Sequence, residues 1–176
     1  MNRVMKEYTK DLEMDNQFWW NCYGFATHKA DWRTVSNILE DNNGDFEYPE
    51  DYLYDEDKYE CECEFLEYGY ERDEIEDMYQ KSLDMGAENI LRSNPELTRI
   101  DNEFAAGPHM DVIAFRVSYD DFHFARKLPD GRWYHKMGCN RVTRAADFDS
   151  IWREDKMNCA YLSRTAYFSA PRNYNK

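Results

Sequence analysis

The sequence predicts an α+β domain: helices come first, and an antiparallel meander packs against them. Three observations carry that reading. Up to about residue 86, apolar residues recur at three- and four-residue steps. Beyond Gly107-Pro108 they gather instead into short runs of β-branched and aromatic residues. Between two of those runs stands Leu128-Pro129-Asp130-Gly131, a turn signal in which glycine supplies the positive φ. At 176 residues the chain suits a single domain, long enough to bury roughly two-thirds of its unfolded surface.

Taken in order, Asn16-Gln17-Phe18-Trp19-Trp20 leads into Asn21-Cys22-Tyr23-Gly24-Phe25-Ala26, where Asn21 caps a helix that starts at Cys22. Trp32, Val35, Ile38 and Leu39 have helical spacing and predict a second helix ending near Asn42-Asn43-Gly44. Ile75, Met78, Tyr79 and Leu83 predict a further helix that breaks near Gly86, and Asn94-Pro95 marks the next boundary. Val112 to Val117 reads as a buried strand, and Phe122–Arg126 and Arg132–Lys136 read as the two arms of a hairpin. A last strand is expected around Ala160-Tyr161-Leu162 or Ala166-Tyr167-Phe168.

The net charge of −14 is a local property. Seventeen of the 36 acidic residues lie between Asp41 and Asp77, against only Lys58 and Arg72, so the rest of the chain is close to neutral. Residues 1–176 therefore read as one domain carrying an acidic insertion at about 41–77, interleaved with Tyr48, Tyr52, Tyr54, Tyr59, Tyr68 and Tyr70. Aromatics at that density argue against a fully disordered segment. The charge balance argues against nucleic acid as a partner and leaves a basic protein as the partner for the acidic segment. No run approaches the ~20 apolar residues of a membrane span, and the basic N-terminus lacks the apolar stretch of a secretory signal. A cytoplasmic location is expected, with action outside the cell only through lysis or dedicated delivery. Five scattered cysteines then read as reduced thiols.

One of those thiols has a chemical setting. Cys22 falls at a helix start, where free backbone N–H groups stabilise a thiolate and a developing oxyanion. His123 opens a strand, and His135 follows 12 residues later on the other arm of the hairpin. A turn centred on Pro129 sets the two histidines opposite one another, as base and orienter, with Cys22 as nucleophile. Asn140 and Asp120 are alternative orienters, and His109 is a rival base. Asn16 or Gln17 is a candidate oxyanion donor. His28 lies on another helical face. Cys61-Glu62-Cys63 lacks the partner ligands that a zinc site needs, and Cys139 and Cys159 read as packing residues. No metal and no cofactor are expected.

These residues resemble the NlpC/P60 group of papain-like cysteine peptidases. Asn21-Cys22-Tyr23-Gly24-Phe25 is similar to that group's Asp-Cys-Ser-Gly-hydrophobic motif, and Met110-Asp111-Val112-Ile113-Ala114-Phe115 to its Gly-Asp-Leu-Val-Phe-Phe strand. His123 and His135 match its two histidines. The chain resembles more closely still a set of papain-like proteins with an early Asn-Cys-Tyr and a late block. That block reads here His123-Phe124-Ala125-Arg126, Asp130-Gly131-Arg132-Trp133-Tyr134-His135-Lys136-Met137-Gly138 and Val142-Thr143. The resemblance covers about residues 17–30 and 108–147. Asn21 and Tyr23 depart from the family motif, and the roughly 100 residues between Cys22 and His123 exceed the family's usual gap. The resemblance implies a papain-like fold, a Cys22–His123–His135 triad and hydrolysis of a peptide amide, with a peptidoglycan stem peptide as first substrate. Acyl transfer or deamidation on the same scaffold stays open. So does a different class, an acidic inhibitor that mimics nucleic-acid charge.

Overall fold

The computed structural model describes residues 21–27, 62–119, 121–138, 140–153 and 161–172. The helix expected over Trp32–Leu39 and most of the acidic insertion lie outside them. Among the described residues, helices α1 (Cys22–Thr27), α2 (Glu62–Glu67), α3 (Arg72–Met78) and α4 (Gln80–Ser93) precede strands β1 (Thr98–Ile100), β2 (Met110–Val117), β3 (Phe122–Lys127), β4 (Trp133–His135) and β5 (Thr143–Arg144). A 3-10 turn at Asp149–Trp152 and strand β6 (Ala166–Pro171) complete them. No helix among these residues is long and apolar enough to cross a membrane.

Asn21 does cap α1: its Oδ1 accepts from Gly24 N–H at 3.0 Å and its carbonyl from Phe25 N–H at 3.0 Å. The helix is only six residues long, so its stability comes from docking rather than propensity. Helix α3 opens on a reciprocal capping box between Glu71 and Glu74. The break expected near Gly86 does not occur. Helix α4 runs on to Ser93, because Gly86, Ala87 and Ile90 form its buried face and packing outweighs the ~1 kcal/mol that an interior glycine costs.

All strand pairs are antiparallel, in the order β1-β6-β2-β3-β4-β5. The last strand is Ala166–Pro171, whereas Tyr161 and Leu162 lie outside it. Strand β2 is central and covered on both sides, which explains its apolar run Val112–Phe115. Alternation then sorts the side chains. Ile113, Phe115, Val117, Phe124 and Phe168 form one core with Cys22, Tyr23 and the α3 and α4 residues Ile75, Leu83 and Ile90. Val112, Ala114, Ala125 and Trp133 form a second, with Ile151, Trp152 and Tyr161. Each fully buried aromatic of the first core contributes about 1.5–3 kcal/mol.

A buried ion cluster ties the N-terminal helix to the sheet. Arg126 Nε and Nη2 donate to Asp111 Oδ2 at 3.0 and 2.8 Å, and Arg172 Nε donates to Asp111 Oδ1 at 2.7 Å. Arg126 Nη1 donates to the Ala26 carbonyl at 3.1 Å, so the same guanidinium holds the end of α1. Tyr23 fixes the other side: Asn94 Nδ2, at the end of α4, donates to its hydroxyl at 2.9 Å, and its ring packs edge-on against Phe124.

Candidate functional site

Strand β3 assembles the candidate site because it outruns β4. The Pro129-Asp130-Gly131 loop is closed by Leu128 N–H to the Arg132 carbonyl at 3.0 Å, with Gly131 at φ +77°. The next pairs are Lys127 with Trp133, Arg126 with Tyr134 and Ala125 with His135. There β4 ends, and Phe122, His123 and Phe124 continue without it. Since Leu128 bonds toward β4, alternation turns the Phe124 N–H to that same side. Helix α1 stands there, and the Phe124 N–H hydrogen-bonds the Cys22 thiol.

The hairpin register differs by two residues from the expectation. His135 lies opposite Ala125, not His123, because the turn centres on Asp130 rather than Pro129. The histidines still share a face as diagonal neighbours, a separation that ring side chains span. His123 Nε2 and His135 Nδ1 are 3.0 Å apart, with ring centroids at 5.3 Å. That bond occupies the ring nitrogen that an orienter would take. Asn140 is exposed, and its backbone carbonyl accepts from Lys136 Nζ. The rival base His109 is exposed in the turn before β2.

Electrostatics keep these groups neutral. Burial pushes the Cys22 thiol up to about 12; the Phe124 N–H opposes this, the charge of Asp121 adds to it, and the N–H groups of Tyr23 and Cys22 pull back down. Burial drives His123 down to about 3, with His135 adding to the effect, and burial lowers His135 as well. Thiol and imidazole, rather than thiolate and imidazolium, are the resting forms.

Thus Cys22 and His123 meet adjacent positions of one strand, the thiol through the Phe124 backbone and the imidazole through its own side chain. No hydrogen bond joins Cys22 to His123 among the described residues. Phe124 faces the first core, to which Cys22 belongs, and His123 faces the second. Asp120, Asn16, Gln17, His28, Cys61, Cys139 and Cys159 lie outside the described residues, as does the Cys63 side chain. Among those described, no cluster of three metal-binding side chains occurs.

Two neighbours of His123 escaped the sequence reading. The Tyr161 ring packs against that of His123, tilted by 37°, at a centroid distance of 5.5 Å, and the Tyr161 hydroxyl donates to Asp121 Oδ2 at 2.8 Å. Trp152 packs edge-on at 6.0 Å, and its buried Nε1–H has no partner among the described residues. Both follow the hairpin in sequence, and neither stands in a motif. A cleft of about 360 Å³, lined by Arg132, Trp133, Arg144 and Asp147, lies two residues along β4 from His135. No protein-family model, no curated protein and no solved structure matches this chain.

Proposed function

We propose that this chain is a papain-like cysteine hydrolase resembling the NlpC/P60 group, in which Cys22 attacks a peptide amide and His123 is its general base. The observation that carries this reading is the use of consecutive β3 residues. His123 holds the imidazole pair at 3.0 Å, and Phe124 N–H meets the thiol. The bond to His135 takes up Nε2 and leaves Nδ1 of His123 as the nitrogen for proton transfer. When His135 carries its proton on Nε2, its Nδ1 accepts from His123 Nε2–H, and His123 Nδ1 keeps the lone pair a base needs.

With both groups held neutral by burial, the thiol proton passes to His123 Nδ1 as sulfur bonds the carbonyl carbon. Backbone N–H groups near Cys22 stabilise the oxyanion. His123 then returns the proton to the leaving amine, and water, deprotonated by the same imidazole, releases the acyl group. Both residues are buried, so the scissile carbonyl reaches them through a local opening of this closed form. A peptide amide is the substrate class, with a peptidoglycan stem peptide as its first member.

The test is acylation of the intact protein by p-nitrophenyl acetate, read by mass spectrometry. One acetyl group is expected on Cys22, absent in Cys22→Ala and formed at least ~100-fold more slowly in His123→Ala. Acetylation that ignores both substitutions sinks the reading. If digestion of peptidoglycan or a cellular effect survives Cys22→Ala, a binding function replaces the enzymatic one.

A further inference from the structure

We propose that Tyr161 is a positioning residue for the base: its ring, fixed through Asp121 and Arg116, clamps the His123 imidazole so that Nε2 meets His135 and Nδ1 is left for the thiol. This rests on the hydrolase reading for its purpose, but its geometry stands separately. Tyr161 is the one described non-glycine residue at positive φ, +56°. A tyrosine adopts that conformation only where its surroundings impose it, and such strain gathers at working sites.

Three anchors impose it here. Arg116 Nε donates to Thr165 Oγ1 at 2.6 Å and Nη1 reaches the Tyr161 carbonyl at 3.5 Å, so β2 holds the backbone. The Tyr161 hydroxyl donates to Asp121 at 2.8 Å. Asp121 is itself set by the turn between β2 and β3: its carbonyl accepts from Ser118 N–H at 2.7 Å, and its N–H donates to Ser118 Oγ at 3.1 Å. The third anchor is Trp152, edge-on to both Tyr161 and His123.

The arrangement has a chemical consequence. The charge of Asp121 acts on the Cys22 thiol, while its carboxylate holds the phenol that packs against His123. The Asp121–Tyr161 pair therefore couples the thiol side of β3 to the imidazole side, and a displaced phenol frees the His123 ring to rotate. A tyrosine that merely fills the second core has no such link, and Phe serves that purpose equally well.

Ring-nitrogen NMR of His123 and the pH profile of Cys22 acetylation test this on the full chain. Tyr161→Phe is expected to slow acetylation about threefold, and Asp121→Asn, which weakens the same bond from its other end, to match it. Tyr161→Ala is expected to slow it about tenfold or more and to move the His123 titration up toward the ordinary imidazole range as the ring is uncovered. If Tyr161→Phe, Asp121→Asn and any folded Tyr161→Ala protein all leave the His123 resonances, its titration and the acetylation rate within about twofold of wild type, the proposal is overturned. Should Tyr161→Ala not fold, the two conservative variants decide it. The hydrolase reading fails separately, if His123→Ala leaves acetylation intact; the His123 resonances then still judge the clamp.

Discussion

The two faces of the sheet use one strand for different ends. Toward the helices, Phe124 joins Phe115, Phe168, Ile75 and Leu83 in an apolar core, and the charged groups there, Arg126 and Asp111, are fully paired. Toward the 3-10 turn, the smaller second core admits His123 beside aromatic rings. Burial on the first face is matched by hydrogen bonds and serves stability. Burial on the second holds a titratable ring neutral, which costs stability in acid. The contrast teaches that β3 reads as scaffold or as candidate site according to parity alone, with Cys22 packed in the first core.

The harshest way to break the comparison is through Asp111. Asp111→Ala leaves Arg126 charged and without its carboxylate in the first core, a change expected to cost about 3–5 kcal/mol. For a chain of this size that lowers Tm by about 10 °C, measurable by calorimetry. Pairing Asp111→Leu with Arg126→Met removes both charges and is expected to recover part of the loss. If Asp111→Ala instead leaves Tm unchanged, the first face is not held as described.

The second face is tested by acid. His123 titrates in the folded protein at about 3, below its ordinary value, so between these limits the unfolded chain binds a proton that the native protein does not. Stability from this group is therefore full at neutral pH and is lost as pH falls from about 6.5 toward 3, on the order of 5 kcal/mol in total. His135 shifts in the same direction and steepens the loss. Urea unfolding at several pH values is expected to show this limb and to show it reduced in His123→Leu. An unaltered limb in that variant would place the acid sensitivity elsewhere.

How much of this was legible follows the same division. The hairpin could be read because Pro129-Asp130-Gly131 is local turn chemistry between two apolar runs, and β2 because a strand covered on both faces carries a continuous apolar stretch, Val112–Phe115. Strands β1 and β5 could not: three and two residues with exposed positions carry no period. The Gly86 break was a propensity argument that tertiary packing overrode. The expected histidine pairing is two residues out of register, and it survives because a shift of two keeps the face and diagonal neighbours still touch. The clamp by Tyr161 and the hold of Arg126 on Ala26 were out of reach, since partners 40 and 100 residues apart leave no mark in local pattern.

The smallest effect separates the two roles of the α1 start, which packs in the first core. Asn21 Oδ1 satisfies an end-of-helix N–H, so Asn21→Ala is expected to cost about 1 kcal/mol of stability. Asn21→Asp keeps an equally good cap and is expected to stay within about 0.5 kcal/mol of wild type. The new carboxylate stands next to Cys22, however, where it opposes sulfur carrying negative charge, as Asp121 already does. Stability measured by urea should therefore rank wild type and Asn21→Asp together above Asn21→Ala. The rate of Cys22 acetylation should instead set Asn21→Asp apart, below wild type. If Asn21→Asp falls with Asn21→Ala in stability, the cap is not what holds this helix; if it acetylates as fast as wild type, Cys22 does not feel the charge at the edge of β3.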